Sequence, residues 1–316
     1  MKLIVQIPCY NEAETLARTV EDLPRSLEGF SSVETLVIDD GSTDGTAEIA
    51  RQLGVDHVIR YPRNRGLAIA FAMGLRAALE LGADVIVNTD GDHQYQGESI
   101  QELIGPILRG EADMVVGDRQ IQKIAHFSRT KKFLQRFGSW VVRWTSGTEV
   151  ADATSGFRAV SREAALQLTI FTNYTYTLET IIQAGKKGLT VVSVPVKTNE
   201  MYRESRLIRS VPRYLVSSGA TILRIFLMYE PLRVFSLLSS APFAIGLALL
   251  IRYAYFYWIG EGAGHVQSVI VGSALGILAF LMFLLGLLSD LTGRNRRLAE
   301  EILYRIRRTE LDRPRS

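Results

Sequence analysis

The sequence is poor in the features that announce several large classes of protein. Its 316 residues include one cysteine, Cys9, which excludes an internal disulfide and a zinc site built from several thiolates, and makes a reducing compartment the simple expectation. Over the whole chain the formal charge is only +3 and aromatic residues are 9%, so no footprint for nucleic acid is read and none is expected as a partner. The N-terminus, "MKLIVQIPCYNE", lacks the long apolar stretch and small-residue cleavage site of a signal peptide and enters directly into a strand pattern; the soluble part is expected to face the cytosol. Two phosphate-binding signatures are also missing. The first strand-to-helix turn, "PCYNEAE", has no glycine where a dinucleotide fold needs G-x-G-x-x-G, and no Gly-Lys-Ser/Thr occurs for a P-loop.

Charge is missing altogether from two later stretches, Val234 to Ile251 and Val266 to Leu288. Each approaches or exceeds the roughly 18 to 20 residues that cross a bilayer, and neither keeps the polar face of a soluble core helix, so two transmembrane helices are expected. Arg252, Tyr253, Tyr255, Tyr257 and Trp258 form an interfacial belt. The linker "GEGAGH" has no Lys or Arg, whereas Arg224 and Arg233 precede the first span and Arg294, Arg296 and Arg297 follow the second. The positive-inside rule therefore places both chain ends in the cytoplasm. Residues 206–232 read as amphipathic helices lying at the membrane surface, 233–290 as the hairpin, and 291–316 as a basic amphipathic tail that rests on anionic lipid or stands as a solvated helix. The small hairpin is expected to self-associate into a homo-oligomer, with Gly272, Ser273 and Gly276 permitting close helix approach.

What is present in the first two hundred residues is alternation. Apolar runs such as "KLIVQI", "ETLVID", "ADVIVNTD" and "ADMVVG" are separated by helical patterns such as "EAETLARTVEDL" and "LAIAFAMGLRAALELG", a βαβα rhythm that predicts a mainly parallel α/β sheet with helices on both faces. Ligands of such sheets lie beyond the carboxyl ends of the strands. Those ends are polar here: "PCYNE", "DDGSTDGT", "TDGDHQ" and "GDR". Asp90 and Asp92, one residue apart at a strand end, repel each other unless a cation lies between them, and hard divalent cations take oxygen ligands. Asp44 reads as a helix cap, His93 as a hydrogen-bonding residue rather than a ligand, and Cys9 as an inert strand residue. Glu179 reads either as a sugar or metal-side contact or as part of a solvated helix face, and Asp152, Ser155 and Gly156 either shape an acceptor pocket or form a turn entering a strand.

The ordered set "IPCYNE", "VIDDGSTDGT", "NRGLAIAFAMGL", "NTDGDHQ", "DATSGFRAVSR" and "YRESRL", followed by a membrane hairpin, resembles glycosyltransferase family 2, and within it the polyprenyl-phosphate hexosyltransferases, the group of dolichyl-phosphate mannose synthase. The resemblance covers about residues 1 to 215 by motif. It implies a GT-A fold over 1–205 and a transfer of sugar from a nucleotide-diphosphate sugar to polyprenyl phosphate. It places Pro8, Tyr10, Glu12 and Asp39 at the nucleoside, with Asp40 and Ser42 in the same turn. Asp90 and Asp92 match its D-x-D motif, with Asp92 the metal ligand, Asp90 near the sugar and Gln94 completing the shell around Mg²⁺ or Mn²⁺. Gly91 stands where the family usually has Ala. Arg119 and Arg136 match arginines that meet the acceptor phosphate, and Arg65 an anion contact. Arg203, Ser205 and Arg206 match a late basic motif over the diphosphate, although "YRESR" lacks that motif's usual glycine and terminal Lys.

A phosphomonoester has a second pKa of about 6 and is already nucleophilic at neutral pH. An inverting, one-step displacement with no obligatory general base is therefore expected, with arginines orienting the acceptor. The rivals are a transferase with another acceptor, such as a processive polysaccharide synthase, and a non-catalytic nucleotide-sugar sensor. Two spans make no pore unaided, and intact Asp39, Asp90 and Asp92 speak against a sensor. The sugar stays open, as does UDP against GDP, with the small ends of the crevice strands favouring UDP.

Overall fold

Seven of the apolar runs become strands of one sheet. The computed structural model describes residues 1–120, 138–140, 142–170, 176–199, 227 and 229–312. Its strands are β1 (Lys2–Cys9), β2 (Ser32–Asp39), β3 (His57–Arg60), β4 (Val85–Asn88), β5 (Met114–Asp118), β6 (Arg158–Ser161) and β7 (Val191–Pro195), arranged in the order β3-β2-β1-β4-β6-β5-β7. The pairs are parallel except those of β6, which runs antiparallel to both β4 and β5. The mainly parallel α/β sheet is thus as expected, with one reversed strand.

That reversal has a functional result. Parallel strands bring their carboxyl ends to one edge, whereas an antiparallel strand brings its start there. Arg158, the first residue of β6, pairs with Asn88, the last of β4. The segment "DATSG" before β6 therefore lies at the same edge as the polar strand ends.

The connecting helices are α1 (Leu16–Asp22), α2 (Thr46–Gln52), α3 (Leu67–Glu80), α4 (Ile100–Leu108), α5 (Arg162–Gln167) and α6 (Tyr176–Lys186). Leu3, Val5, Ile7, Val37, Val85, Val87 and Val115 on the strands and Leu16, Val20, Leu103 and Ile104 on the helices join one core. Helix α3 lies so close to the sheet that a Cβ on Gly74 would stand 2.4 Å from Gln6 Oε1 and 2.8 Å from Ile38 Cδ1.

The chain divides into two compact units, Met1–Arg206 with Leu303–Ser316, and Leu207–Ile302. The second unit contains α7 (Pro231–Trp258) and most of α8 (Val266–Asp312). Both helices are long and apolar enough to cross a membrane. Their large side chains face outward, among them Leu237, Phe243, Ile251, Ile270 and Phe280, the reverse of a soluble core hairpin. Gly246 and Gly272 face each other so tightly that a Cβ on Gly246 would meet Gly272 O at 2.8 Å. Gly272 thus permits close approach within one hairpin. Arg296, one of the arginines that follow the second span, is mostly buried: its guanidinium lies 4.3 Å from the Tyr229 ring and pairs with Glu300 at 3.1 Å.

The expected division at residue 290 is not marked by a break, because α8 continues unbroken to Asp312. Its last turns belong to the first unit. Arg307 Nη1 donates to Leu168 O at 2.9 Å and Leu166 O at 3.2 Å, and Tyr304 Oη donates to Glu163 at 2.6 Å. These carbonyls are at the end of α5, where a helix leaves acceptors unsatisfied and a cation is favourable. One side of this part of the tail is thus held against α5, while Arg305, Ile306, Arg308 and Thr309 stay exposed. Residues 206–226, expected as surface helices, lie outside the described residues.

Candidate active site

The sheet edge gathers acidic groups from three strand ends. Asp39 ends β2 and is fully buried; its Oδ1 accepts from Ser42 N at 2.9 Å, and its Oδ2 lies 3.4 Å from Arg60 Nε. Asp40 is committed to the scaffold, its two oxygens accepting from Arg65 N at 2.9 Å and Gly66 N at 2.7 Å. It shapes the entry to α3 instead of presenting a free carboxylate. Asp44 accepts from Thr46 N and Ala13 N, both at 3.1 Å, in keeping with a capping role.

After β4 the chain turns through Asp90-Gly91-Asp92. Thr15, just before α1, and Thr19 on it hold this turn by donating to Gly91 O at 2.8 and 3.3 Å. A Cβ on Gly91 would stand 3.0 Å from Cys9 Sγ, so glycine makes room for the thiol under it. Cys9 itself is buried, and burial first and the charges of Glu12, Asp39 and Asp90 next push its thiol well above its ordinary pKa. Asp90 is pushed up to about 7 by burial and then by the Asp92 charge, with Glu12 adding to the effect and Arg119 and Arg158 opposing it. Asp92 Oδ1 accepts from Gln94 N at 3.1 Å. His93, at φ 57°, is held through its carbonyl by Asn199 Nδ2 at 3.1 Å, a hydrogen-bonding role.

The loop before β6 faces this turn. A Cβ on Gly156 would lie 2.9 Å from both Asp90 oxygens and 3.0 Å from Tyr176 Oη. Asp152 forms a two-pronged pair with Arg119 at 2.6 and 3.0 Å. Burial alone would raise the Asp152 carboxyl, but the Arg119 guanidinium holds it below its ordinary range. Arg119 also donates to Thr154 Oγ1 at 2.8 Å, so two of its nitrogens fasten the loop to the end of β5. Ser155 is fully buried beneath the loop.

Several residues were not singled out from sequence. Arg158 is fully buried and donates to Ser155 O, Ala153 O, Thr177 O and Thr180 Oγ1 at 2.6–3.0 Å. It clamps the loop to the start of α6, and burial lowers its pKa to about 10. Asn88 donates to Gly156 O at 2.8 Å and Tyr176 Oη at 3.1 Å, and is itself oriented by Gln6 at 2.8 Å. Tyr176 stacks on Phe71 with centroids 3.9 Å apart, and Tyr95 on Phe157 at 4.8 Å. The arginine inside "SGFR" was the available signal, since an arginine at the start of an apolar strand needs a buried set of acceptors. Glu179 is buried on α6, which overturns the solvated-face reading.

Of the other expected residues, Pro8 is buried opposite Ile38, Tyr10 is exposed at the rim, and the half-buried Glu12 lies against Gly91. The Arg65 side chain is exposed beside Tyr61. Arg136, Arg203, Ser205 and Arg206 lie outside the described residues.

Among the described residues no group of three His, Cys, Asp or Glu is arranged to hold a metal. The Asp90–Asp92 turn nevertheless sets two carboxylates close together, and the charge of Asp92 adds to burial in raising Asp90. Mg²⁺ commonly takes one or two carboxylates and completes its shell with substrate phosphates and water, and the residues present fit that pattern.

Residues 4–168 match the family model of glycosyl transferase family 2. The chain is 29% identical over 291 residues to glycosyltransferase AglJ of Haloferax volcanii, covering 90% of this chain and 91% of that protein. It is 30% identical to the UDP-N-acetylglucosamine–dolichyl-phosphate N-acetylglucosaminyltransferase of Methanococcus voltae, over 64% of this chain and 87% of that one. Glucosyl-3-phosphoglycerate synthase of Mycobacterium tuberculosis, crystallised with Mn²⁺, UDP-glucose and phosphoglyceric acid, shares the fold with a TM-score of 0.55 at 22% identity, covering 70% of this chain and 79% of that one.

Proposed function

The chain belongs to glycosyltransferase family 2, and from that membership we propose that it transfers a sugar from a nucleotide-diphosphate sugar to a polyprenyl phosphate at the cytoplasmic face of a membrane, with inversion and with Mg²⁺ or Mn²⁺ bound. The observation that carries this reading is the joining, in one chain, of the Asp90–Asp92 turn at a GT-A sheet edge with two helices of bilayer length. The polyprenyl-phosphate acceptor is supported by the dolichyl-phosphate transferase of Methanococcus voltae, and the side of the membrane by the arginines that flank the hairpin.

Asp92, with Asp90 and Gln94, would hold the cation, which when bound supplies positive charge to a departing diphosphate. Asp39 offers a carboxylate to the nucleoside, kept in place by Ser42 and Arg60. The Asn88–Tyr176–Gly156 contacts fix the wall opposite Asp90. The acceptor is a dianion and needs no proton removed, so basic side chains that orient it contribute more than a general base. Arg119 acts in this reading by holding the Asp152 loop, and Arg136, Arg203, Ser205 and Arg206 remain the side chains assigned to the phosphates. A homo-oligomer is part of the same proposal, with Ser273 and Gly276 on α8 available to a neighbouring helix.

The test is radiolabel transfer in membranes, with polyprenyl phosphate and UDP- or GDP-sugars, for the native chain and Asp92→Asn. Metal-dependent label in the lipid phase from one donor, lost in Asp92→Asn, is the expected result. Nucleotide binding without lipid label from any donor defeats the proposal in favour of a sensor or another acceptor.

A further inference from the structure

The Arg119–Asp152 pair fastens the loop before β6, and it works equally in the other direction, holding the arginine. The backbone on either side of Arg119 is fixed first: Asp118 O accepts from Val196 N at 3.0 Å, and Asp118 Oδ1 accepts from Gln120 N at 2.8 Å, with Gln120 at φ 47°. The guanidinium is then gripped at two of its three nitrogens. Nε donates to Asp152 Oδ2 at 2.6 Å, and Nη2 donates to Asp152 Oδ1 at 3.0 Å and to Thr154 Oγ1 at 2.8 Å. The Asp152 side chain is 2% exposed, and Thr154 N and Oγ1 donate to its Oδ1 at 3.2 and 2.9 Å, so the acceptor is as fixed as the donor.

The third nitrogen is left over. Among the described residues Nη1 makes no hydrogen bond, although the Arg119 side chain is only 11% exposed. The gripped loop runs within two residues of Thr154 into Gly156, which abuts Asp90 and Tyr176, and the Arg119 charge acts on both Asp90 and the Tyr95 hydroxyl. A mostly buried cation needs an acceptor for each N–H kept from water. An arginine locked at two nitrogens has also given up already much of the freedom that it would lose on binding an anion. We propose that Asp152 is a positioning residue, which fixes Arg119 so that Nη1 meets a phosphate oxygen of a substrate. This assignment rests on the transfer reaction proposed above. A contact through one nitrogen serves either the phosphomonoester of the lipid or the diphosphate of the donor, and kinetics tell the two apart.

Transfer is measured in membranes with polyprenyl phosphate and nucleotide sugar varied in turn, for the full-length native chain, Asp152→Ala, Arg119→Ala, the double variant and Thr154→Val. In Asp152→Ala one KM is expected to rise about tenfold while the other stays within about twofold, the size of effect that a charge-assisted hydrogen bond carries. A rise for polyprenyl phosphate places Nη1 on the acceptor; a rise for the nucleotide sugar places it on the diphosphate. Arg119→Ala should raise the same KM, and adding Asp152→Ala to it should move neither KM further, because the aspartate acts through the arginine. Where Asp152→Ala fails to fold, Thr154→Val, which removes the hydroxyl between Nη2 and Asp152, decides by a rise of about threefold in one KM. Unchanged KM values, equal rises in both, or a loss of kcat alone overturn the proposal. A native chain that transfers no sugar from any donor defeats the reaction itself and this assignment with it.

Discussion

Gly156 has no room for a side chain, and the atoms that would be struck belong to Asp90 and Tyr176. Gly156→Ala is expected to push Asp90 aside by about 1 Å and to lower turnover about 100-fold, since displacements of that size in a positioned site cost this much. The transfer assay measures the loss, and a thermal melt run beside it separates it from unfolding. Asp90 also gives the site a pH dependence. Its carboxyl, raised to about 7 without metal, must shed its proton to bind a cation. Affinity for Mn²⁺ should therefore fall as pH drops below 7, by up to about tenfold per unit for one displaced proton, and stay level above 8. Isothermal titration across pH 6 to 8.5 reads this directly; a flat profile would place the cation on Asp92 alone.

At the scale of elements, the hairpin depends on the Gly246–Gly272 approach. Gly246→Leu is expected to separate α7 from α8 and lower the melting midpoint in detergent by several degrees, with a cost of about 1–3 kcal/mol; the melt of Ser240→Leu, on an exposed position of the same helix, should stay unchanged. Elements also show what could be read before the structure. The strand runs, their polar ends and the two apolar spans were legible because they are periodic and local: alternation of βα units fixes which ends share an edge. The direction of β6 was not. "FRAV" has the same apolar pattern in either sense, and only pairing with both β4 and β5 decides it. The Arg158 clamp was hidden for the same reason, because its acceptors come from the loop before β6 and from α6, some twenty residues away. Asp40 looked like a ligand because Asp39 beside it did; its partners, the Arg65 and Gly66 amides, have no side-chain signature.

For the whole molecule, the telling contact is that of Arg307 with the end of α5. Arg307→Ala removes a cation from open helix carbonyls and is expected to cost the catalytic unit about 1 kcal/mol. Denaturant unfolding of the full chain measures it, and Arg25→Ala, at an exposed position of the same unit, serves as the control that should not change. The placement of this contact along the chain has a consequence for biogenesis. Residues 303–312 leave the ribosome only after both bilayer-length helices, so a unit begun at Lys2 is completed by a segment made after the membrane part. In a molecule whose second span inserts wrongly, that segment ends on the far side of the bilayer, and the α5 carbonyls stay open. An error of topology thereby becomes a defect of folding on the side that holds the rest of the unit, where proteases can recognise it.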